Sequence, residues 1–253
     1  MAATGALLAG RRIAVLGSGS GLGLAVAAAA EAEGAEVLGI DAEARFEHLS
    51  ELYRADPSDP DAMISVARAL PEGLDGLALF PAMPAGAPAA ILTQALVAPR
   101  LLAEAVAPRM AKGGAVVVRG APVDGQREGK LGAIRAAARL RPGGEAAFVK
   151  RWALDVEPVG TEALIGWVLA GWAMAHAHRW PGIATHAVAP AMPDGRLPPP
   201  LVAATGLEAE QGRAIAAKAT IFLLSDHAQG LTGTQFAADG GLSAQTQTRL
   251  EGL

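Results

Sequence analysis

The stretch Gly17-Ser18-Gly19-Ser20-Gly21-Leu22-Gly23 decides the fold of this chain because of what lies on either side of it. A short apolar run, Arg12 to Leu16, leads directly into it, and an alanine-rich run, Leu24 to Glu33, follows it. A second apolar run, Glu36 to Ile40, closes on Asp41. Strand, glycine turn, helix and strand in this order predict the first βαβ unit of a nucleotide-binding domain.

The alternation of apolar strands and helices continues along the chain. Helices are predicted at about 59–70, 91–110, 161–178 and 209–224, and further strands at 76–80, 115–118, 184–188 and 235–238. Continuous apolar strands separated by helices are typical of a parallel sheet covered on both faces. The sequence therefore predicts an α/β fold: a Rossmann-type doubly wound parallel sheet of about seven strands, in a single domain spanning residues 1–253.

Composition excludes several classes of protein. The chain has 253 residues, a net charge of −4 and no cysteine, so neither disulfides nor thiolate chemistry are expected, and nothing favours nucleic-acid binding. The longest apolar stretch, Ala163 to Ala175, is too short to span a bilayer, and no signal peptide is recognised, so we expect a cytoplasmic protein without membrane association. His176 and His178 lie on different helix faces, so no metal site is predicted.

The glycine turn predicts a specific binding chemistry. Glycines at the start of a helix let backbone N–H groups approach a pyrophosphate, which is also favoured by the positive end of the helix dipole. Asp41 at the end of the second strand can accept both hydroxyls of an adenosine ribose and would repel a 2′-phosphate, which favours NAD over NADP. A glycine turn alone could be structural, but its context favours NAD as a cofactor.

The chain resembles the short-chain dehydrogenase/reductase family over nearly its whole length. Gly17, Gly21 and Gly23 have the glycine spacing of that family, although Leu16 replaces its usual threonine. The C-terminal part carries further family motifs: Ala187-Val188-Ala189-Pro190, Phe222 to Asp226, Leu231-Thr232-Gly233 and Asp239-Gly240-Gly241. The resemblance implies that the cofactor contacts Gly17, Ser20, Gly21, Leu22, Gly23, Asp41 and, at the adenine, Asp56.

The catalytic residues of that family are missing. Members use a serine, a tyrosine with a lysine four residues later, and an asparagine, because a proton donor must lie within hydrogen-bond reach of the substrate. The serine position falls at Gly120-Ala121 and the asparagine position at Ala95. Counting back from Gly182, the tyrosine and lysine would fall around 160–164, and counting forward from Ala121 they would fall near Ile134 and Ala138.

Neither alignment supplies a catalytic group. The only tyrosine, Tyr53, lies on the adenine side of the expected site and is interpreted as a packing residue. We therefore expect no catalytic residues in the family's positions, as in a pseudoenzyme.

The two alignments differ because the segment at about 122–159 is longer than the family's usual loop by roughly twenty-five residues. This insertion is basic: it carries Arg127, Lys130, Arg135, Arg139, Arg141, Lys150 and Arg151 against Glu128 and Glu145. Such a run is usually a solvated surface. The alternative is that it receives an anionic group beside the substrate mouth, such as the phosphates of an acyl-CoA, or an acidic partner.

The predicted helix at 161–178 is apolar around nearly its whole circumference, so we expect a contact between subunits to cover it. The resemblance implies pairing of this helix and the helix at about 91–110 across a two-fold axis, in a homo- or hetero-oligomer.

The preferred hypothesis is an NAD-binding, non-catalytic subunit of a hetero-oligomeric short-chain alcohol or hydroxyacyl dehydrogenase, paired with an active paralogue. Two alternatives stay open. One is an active NAD-dependent oxidoreductase using substitute groups such as His186, and the other is a non-enzymatic nucleotide sensor.

Overall fold

The computed structural model describes residues 6–43, 45–83, 86–122, 125–154, 158–191, 203 and 206–253, with the side chains of 158 and 159 left out. Its strands are β1 (Arg12–Leu16), β2 (Glu36–Asp41), β3 (Glu51–Arg54), β4 (Gly76–Leu79), β5 (Ala115–Arg119), β6 (Ala184–Pro190) and β7 (Thr234–Ala238). All pair in parallel, in the order β3-β2-β1-β4-β5-β6-β7. The predicted doubly wound sheet of about seven strands is confirmed.

Helices cover both faces of this sheet. They are α1 (Gly21–Ala32), α2 (Pro60–Ala69), α3 (Pro88–Leu92), α4 (Ala98–Val106), α5 (Leu131–Ala137), α6 (Glu145–Trp152), α7 (Pro158–Ala175), α8 (Ala209–Leu224) and α9 (Leu242–Glu251). A π-helical turn, Thr93–Val97, joins α3 to α4. Helices α1 and α8 pack together on one face, while α2, α4 and α7 cover the other, so each face has its own apolar core.

Helix starts follow local sequence signals. Asp59 caps α2 by accepting the N–H groups of Asp61 and Ala62, and Pro60 stands at the first helical position, where a missing N–H costs nothing. Glu208 and Gln211 form a reciprocal capping box at the start of α8. These signals explain why the predicted bounds of both helices lie within a residue or two of the observed ones.

The insertion forms two short helices rather than an open loop. Helix α5 packs against α7 and α6 packs against α3. Its apolar side chains, among them Ala133, Ile134, Ala137 and Phe148, are buried in the same core as α7, while its basic side chains point outward. Residues 123–124 and 155–157, part of the predicted insertion at 122–159, lie outside the described residues.

Helix α7 is therefore covered on both sides by its own chain. One side packs on β5 and β6, and the other is covered by α5 and α3. Trp167 and Trp172 are both buried, whereas Met174 is 51% exposed. A second subunit is therefore not needed to bury this helix. Assembly through the helices at 91–110 and 161–178 stays a prediction, and the apolar circumference of α7 no longer supports it.

The helical segment Pro88–Arg109 is long and apolar enough to cross a membrane, by length and composition. The apolar stretch predicted from the sequence to be the longest, Ala163 to Ala175, lies elsewhere in the chain. Of its apolar window, 56% is buried against the rest of the chain, as expected for a core helix of a sheet protein.

The backbone of α7 packs directly on the end of β5. A Cβ atom added at Gly166 would lie 2.6 Å from Cβ of Ala121 and 2.8 Å from its backbone nitrogen. Gly171, five residues further along α7, has open space at the same position. Only the first glycine is required by packing.

We predict opposite effects of alanine at these two glycines. Gly166→Ala should lower the free energy of unfolding by about 2 kcal/mol or more, because the backbone of residues 120–121 must move. Gly171→Ala should raise it by about 0.5–1 kcal/mol, because alanine favours a helix. Urea unfolding of the two variants measures both, and equal effects would contradict the close approach of α7 to β5.

Candidate functional site

The glycine turn lies at the carboxyl ends of β1 and β4, where the sheet and α1 meet. Gly17 has a positive φ of 87°, and a side chain there would collide with the backbone of Phe80. A side chain at Gly23 would collide with the carbonyl oxygen of Gly17. These two glycines are thus required for the turn itself and for the close packing of α1 on β1.

Gly21 has a different reason to be glycine. Its φ is 56°, and a Cβ atom there would meet nothing within 4 Å. It begins α1, and among the described residues no side chain caps that helix, since Ser20 makes no capping hydrogen bond. The start of α1 therefore presents backbone amides and a positive helix end to open space, the local geometry of an anion cradle.

Asp41 is joined to the glycine turn by hydrogen bonds. Its Oδ2 accepts the N–H of Gly19 at 2.9 Å, and its Oδ1 accepts the N–H of Glu43 at 3.0 Å. A Cβ at Gly19 would lie 2.9 Å from the carboxyl carbon of Asp41, so glycine is needed for this approach. The carboxylate is half-buried and held at the end of β2, with lone pairs left for a ligand.

Asp56 follows β3, as the sequence predicts, and is exposed. Its Oδ1 accepts the N–H of Ser58 at 2.8 Å in the turn before α2. No hydrogen bond joins it to the glycine turn in the described part of the chain, so its assignment to an adenine remains a prediction.

The place of the family's serine, after β5, holds Gly120 and Ala121 and therefore no hydroxyl. Gly120 is buried, and a Cβ there would lie 2.6 Å from Oε1 of Gln235. The Nε2 of Gln235 donates to the carbonyl of Ala121 at 3.1 Å, and Ala121 also meets the backbone of α7 at Gly166. Ala121 and Gln235 line an open cavity of about 700 Å³ with residues of α7, so this end of the sheet has space but no hydroxyl in the family's position.

In neither alignment of the family's tyrosine and lysine does a tyrosine or lysine occupy the aligned position. Ile134 is buried in the core under α5, and Ala138 is exposed at the end of α5. Thr161, at the start of α7, is fully buried. The asparagine position, Ala95, lies buried within the π-helical turn.

Tyr53 lies within β3, at the opposite edge of the sheet. Four strand spacings separate β3 from β5, which is about 19 Å. Its hydroxyl donates to Oε2 of Glu51 at 3.0 Å, and burial, followed by Glu51, raises the pKa of Tyr53. It cannot act at the β5 end, in agreement with its interpretation as a packing residue.

His186, the suggested substitute acid-base group, is fully buried in β6. It lies four residues before Pro190, or about 13 Å from the carboxyl end of the strand. Side chains alternate along a strand, and the neighbouring Thr185 donates to the carbonyl of Ala173 in α7, so His186 faces the α8 side. Its Nδ1 is hydrogen-bonded to Oγ1 of Thr234 at 2.8 Å. It is a packed strand histidine.

Sequence reasoning missed two residues that shape this site. Gln235 and Gly166 contact the β5 end, yet both lie far from it along the chain. A glycine inside an otherwise apolar helix is the one local signal that could have indicated the close packing of α7.

These features define a Rossmann-type α/β protein whose glycine turn and strand-end carboxylate have a dinucleotide-binding arrangement. No protein-family model matches the chain, and no curated protein matches it at a significant level. Many solved structures share its fold, and three dehydrogenases are examples.

A 3-alpha-hydroxysteroid dehydrogenase from a Pseudomonas species, complexed with NADH, has a TM-score of 0.74 and 21% identity, covering 94% of this chain and 99% of its own. A short chain dehydrogenase from Burkholderia cenocepacia, in complex with NADP, has a TM-score of 0.66 and 21% identity, with 93% and 99% covered. An aldohexose dehydrogenase from Thermoplasma acidophilum has a TM-score of 0.63 and 18% identity, with 94% and 96% covered. The chain has the fold of these dehydrogenases.

We predict that His186 makes stability depend on pH. Burial lowers the pKa of His186 from 6.5 to about 4, so between these values the unfolded chain binds a proton that the folded chain does not. Folding stability should therefore fall as pH falls from 6.5 to 4, by about 2 to 3 kcal/mol from this residue.

The variant His186→Gln can keep the hydrogen bond to Thr234 but cannot titrate. Urea unfolding at pH 7 and pH 4.5 should give a smaller difference for this variant than for the wild type. The same difference in both proteins would show that His186 is not a buried neutral group.

Proposed function

We propose that this chain is a member of the short-chain dehydrogenase/reductase family that binds NAD but lacks the family's own catalytic groups. The observation that carries the proposal is a contrast within one edge of the sheet. The glycine turn and Asp41 have the arrangement of a dinucleotide cradle, whereas the β5 end, which borders an open cavity, carries Gly120 and Ala121 in place of a hydroxyl.

The residues fit the cofactor. The backbone amides at the start of α1, those of Ser20 just before the helix and of Gly21 and Leu22 in its first turn, would receive the pyrophosphate. Asp41 would receive the ribose hydroxyls and Asp56 the adenine. The open space at Gly21 supports this assignment, because a side chain there would occupy the position of the phosphates. Bound NAD supplies a hydride acceptor or donor. The solved structures of similar fold include complexes with NADH and with NADP, so the choice between them depends on Asp41.

Asp41 favours NAD on electrostatic grounds. Its two oxygens already accept backbone N–H groups, which hold the carboxylate in place without neutralising it. A 2′-phosphate at the same position would place two negative groups in contact, which is unfavourable.

We predict that the wild type binds NADH more tightly than NADPH and that Asp41→Asn reduces this preference about tenfold or more. Asparagine can still accept the N–H of Gly19 but does not repel a phosphate. Glu43→Gln is the matched control, because it removes a carboxylate two residues away that pairs with Arg45. Fluorescence titration gives the Kd for NADH and the Kd for NADPH of each of the three proteins. A preference that survives Asp41→Asn unchanged would argue against this role of Asp41.

The chain lacks the family's acid-base side chains, which exchange a proton with the substrate. A catalytic acid or base must reach the substrate within about 3 Å. In the described residues, the positions that correspond to the serine and asparagine hold Gly120, Ala121 and Ala95, and His186 is buried away from the strand end. These observations support a cofactor-binding protein over an independent enzyme. A cytoplasmic complex with an active paralogue, in which this chain is a subunit, is the further part of the proposal.

The insertion limits how such a complex can form. Helices 91–110 and 161–178 would contribute only positions that α5 and α6 leave open, such as the exposed Met174. Assembly as a homo- or hetero-oligomer through these positions is part of the proposal.

We predict no hydride transfer by the purified chain with NAD and a panel of alcohols and ketones, measured as absorbance at the nicotinamide band. The chain should nevertheless bind NADH in the same preparation, which separates lost chemistry from lost binding. Turnover at ordinary dehydrogenase rates would refute the non-catalytic proposal, and co-purification with an intact family member of the same organism would support the subunit role.

A further inference from the structure

A basic cavity lies on the outer side of α4, where the turn that joins α5 to α6 packs against it. Its volume is about 410 Å³, and three arginines and one carboxylate line it: Arg100, Arg139, Arg141 and Glu104. The cavity belongs to neither the glycine turn nor the β5 end.

Arg100 is the central group of this cavity. It is half-buried in an otherwise apolar helix face, and its Nη1 donates to the carbonyl of Ala137 at 3.2 Å. Its Nε is buried and has no hydrogen-bond acceptor among the described residues. A buried, charged donor without an acceptor is unfavourable, so an acceptor from outside the chain would stabilise it.

The charges around Arg100 are unbalanced. Arg139 and Arg141 are exposed and form no ion pair with the described residues. Burial lowers the pKa of Arg100, and the neighbouring Arg141 lowers it further, while Glu104 opposes this effect. Three guanidinium groups therefore face the cavity against a single carboxylate.

The position of the cavity separates it from the proposed cofactor site. Arg100 lies twelve residues after Pro88, or about 18 Å along the helix from the carboxyl edge of the sheet. The sequence suggests an anion at the substrate mouth, bound by Arg135, Arg139 and Arg141. In the structure Arg139 and Arg141 line the cavity on α4, whereas Arg135 does not line it.

We propose that this cavity binds a phosphate-bearing small molecule through Arg100, Arg139 and Arg141. The planar guanidinium group matches two phosphate oxygens at once, which a lysine ammonium does not. The volume of about 410 Å³ is within the range of small-molecule sites and exceeds what a single phosphate fills, so the diphosphate part of a larger molecule such as coenzyme A suits it. The inference does not depend on NAD binding.

Calorimetric titration with inorganic pyrophosphate tests the site. The double variant Arg139→Gln/Arg141→Gln should bind at least tenfold more weakly than the wild type. The control Arg135→Gln/Lys150→Gln removes the same charge from the insertion at positions that do not line the cavity, and it should bind within twofold of the wild type.

Because the glycine turn would also receive a pyrophosphate, the titrations are repeated in a Gly21→Val background, which blocks that turn. The difference between the two double variants should persist there. Equal pyrophosphate affinities of the two double variants would overturn the proposal. So would the absence of pyrophosphate binding by the Gly21→Val protein that keeps all its arginines. Loss of NADH binding with pyrophosphate binding retained would leave the cavity independent of the cofactor site, as proposed.

Coenzyme A is the second probe. It should bind at least as tightly as pyrophosphate and lose at least tenfold in Arg139→Gln/Arg141→Gln. Coenzyme A binding that does not respond to this variant would overturn the assignment to an organic phosphate of that kind.

Discussion

The close approach of backbone to backbone at the glycine turn is the constraint on which the rest of this structure depends. Gly23 packs on the carbonyl of Gly17, and Gly17 packs under Phe80, so α1 starts directly against β1 and β4. This contact fixes where the amino end of α1 points and brings Gly19 to the carboxylate of Asp41. A Cβ atom at either contact would push the helix away from the sheet and open the cradle.

The same physical device acts further along the same edge of the sheet. Gly166 lets α7 approach the end of β5, where the backbone of α7 meets residues 120–121. Gln235 contacts the same place from β7. Close packing thus positions α1 at the glycine turn and α7 beside the open cavity at the β5 end, within one parallel sheet.

The insertion combines two roles that its sequence suggests only separately. Its apolar residues, such as Ile134 and Phe148, enter the core that covers α7, while its arginines remain at the surface. The helices α5 and α6 therefore help to bury the apolar helix α7 within its own chain. Their connecting turn carries Arg139 and Arg141 to Arg100, which belongs to a helix that precedes them by some forty positions in sequence.

The sequence by itself determined most of the strands and long helices, the parallel sheet and the position of the glycine turn, because these depend on neighbouring residues: apolar runs, helix caps and glycines at fixed spacing. It gave no range for β3, α5, α6 or α9, which are short or only weakly apolar. It also identified the absence of a serine at Gly120-Ala121. Only the tertiary structure decided that Gln235 and Gly166 contact that position, that His186 faces α8, and that Arg100 joins the arginines of the insertion. Each of these depends on contacts between segments far apart in the chain, and such contacts leave no period or spacing in the local sequence.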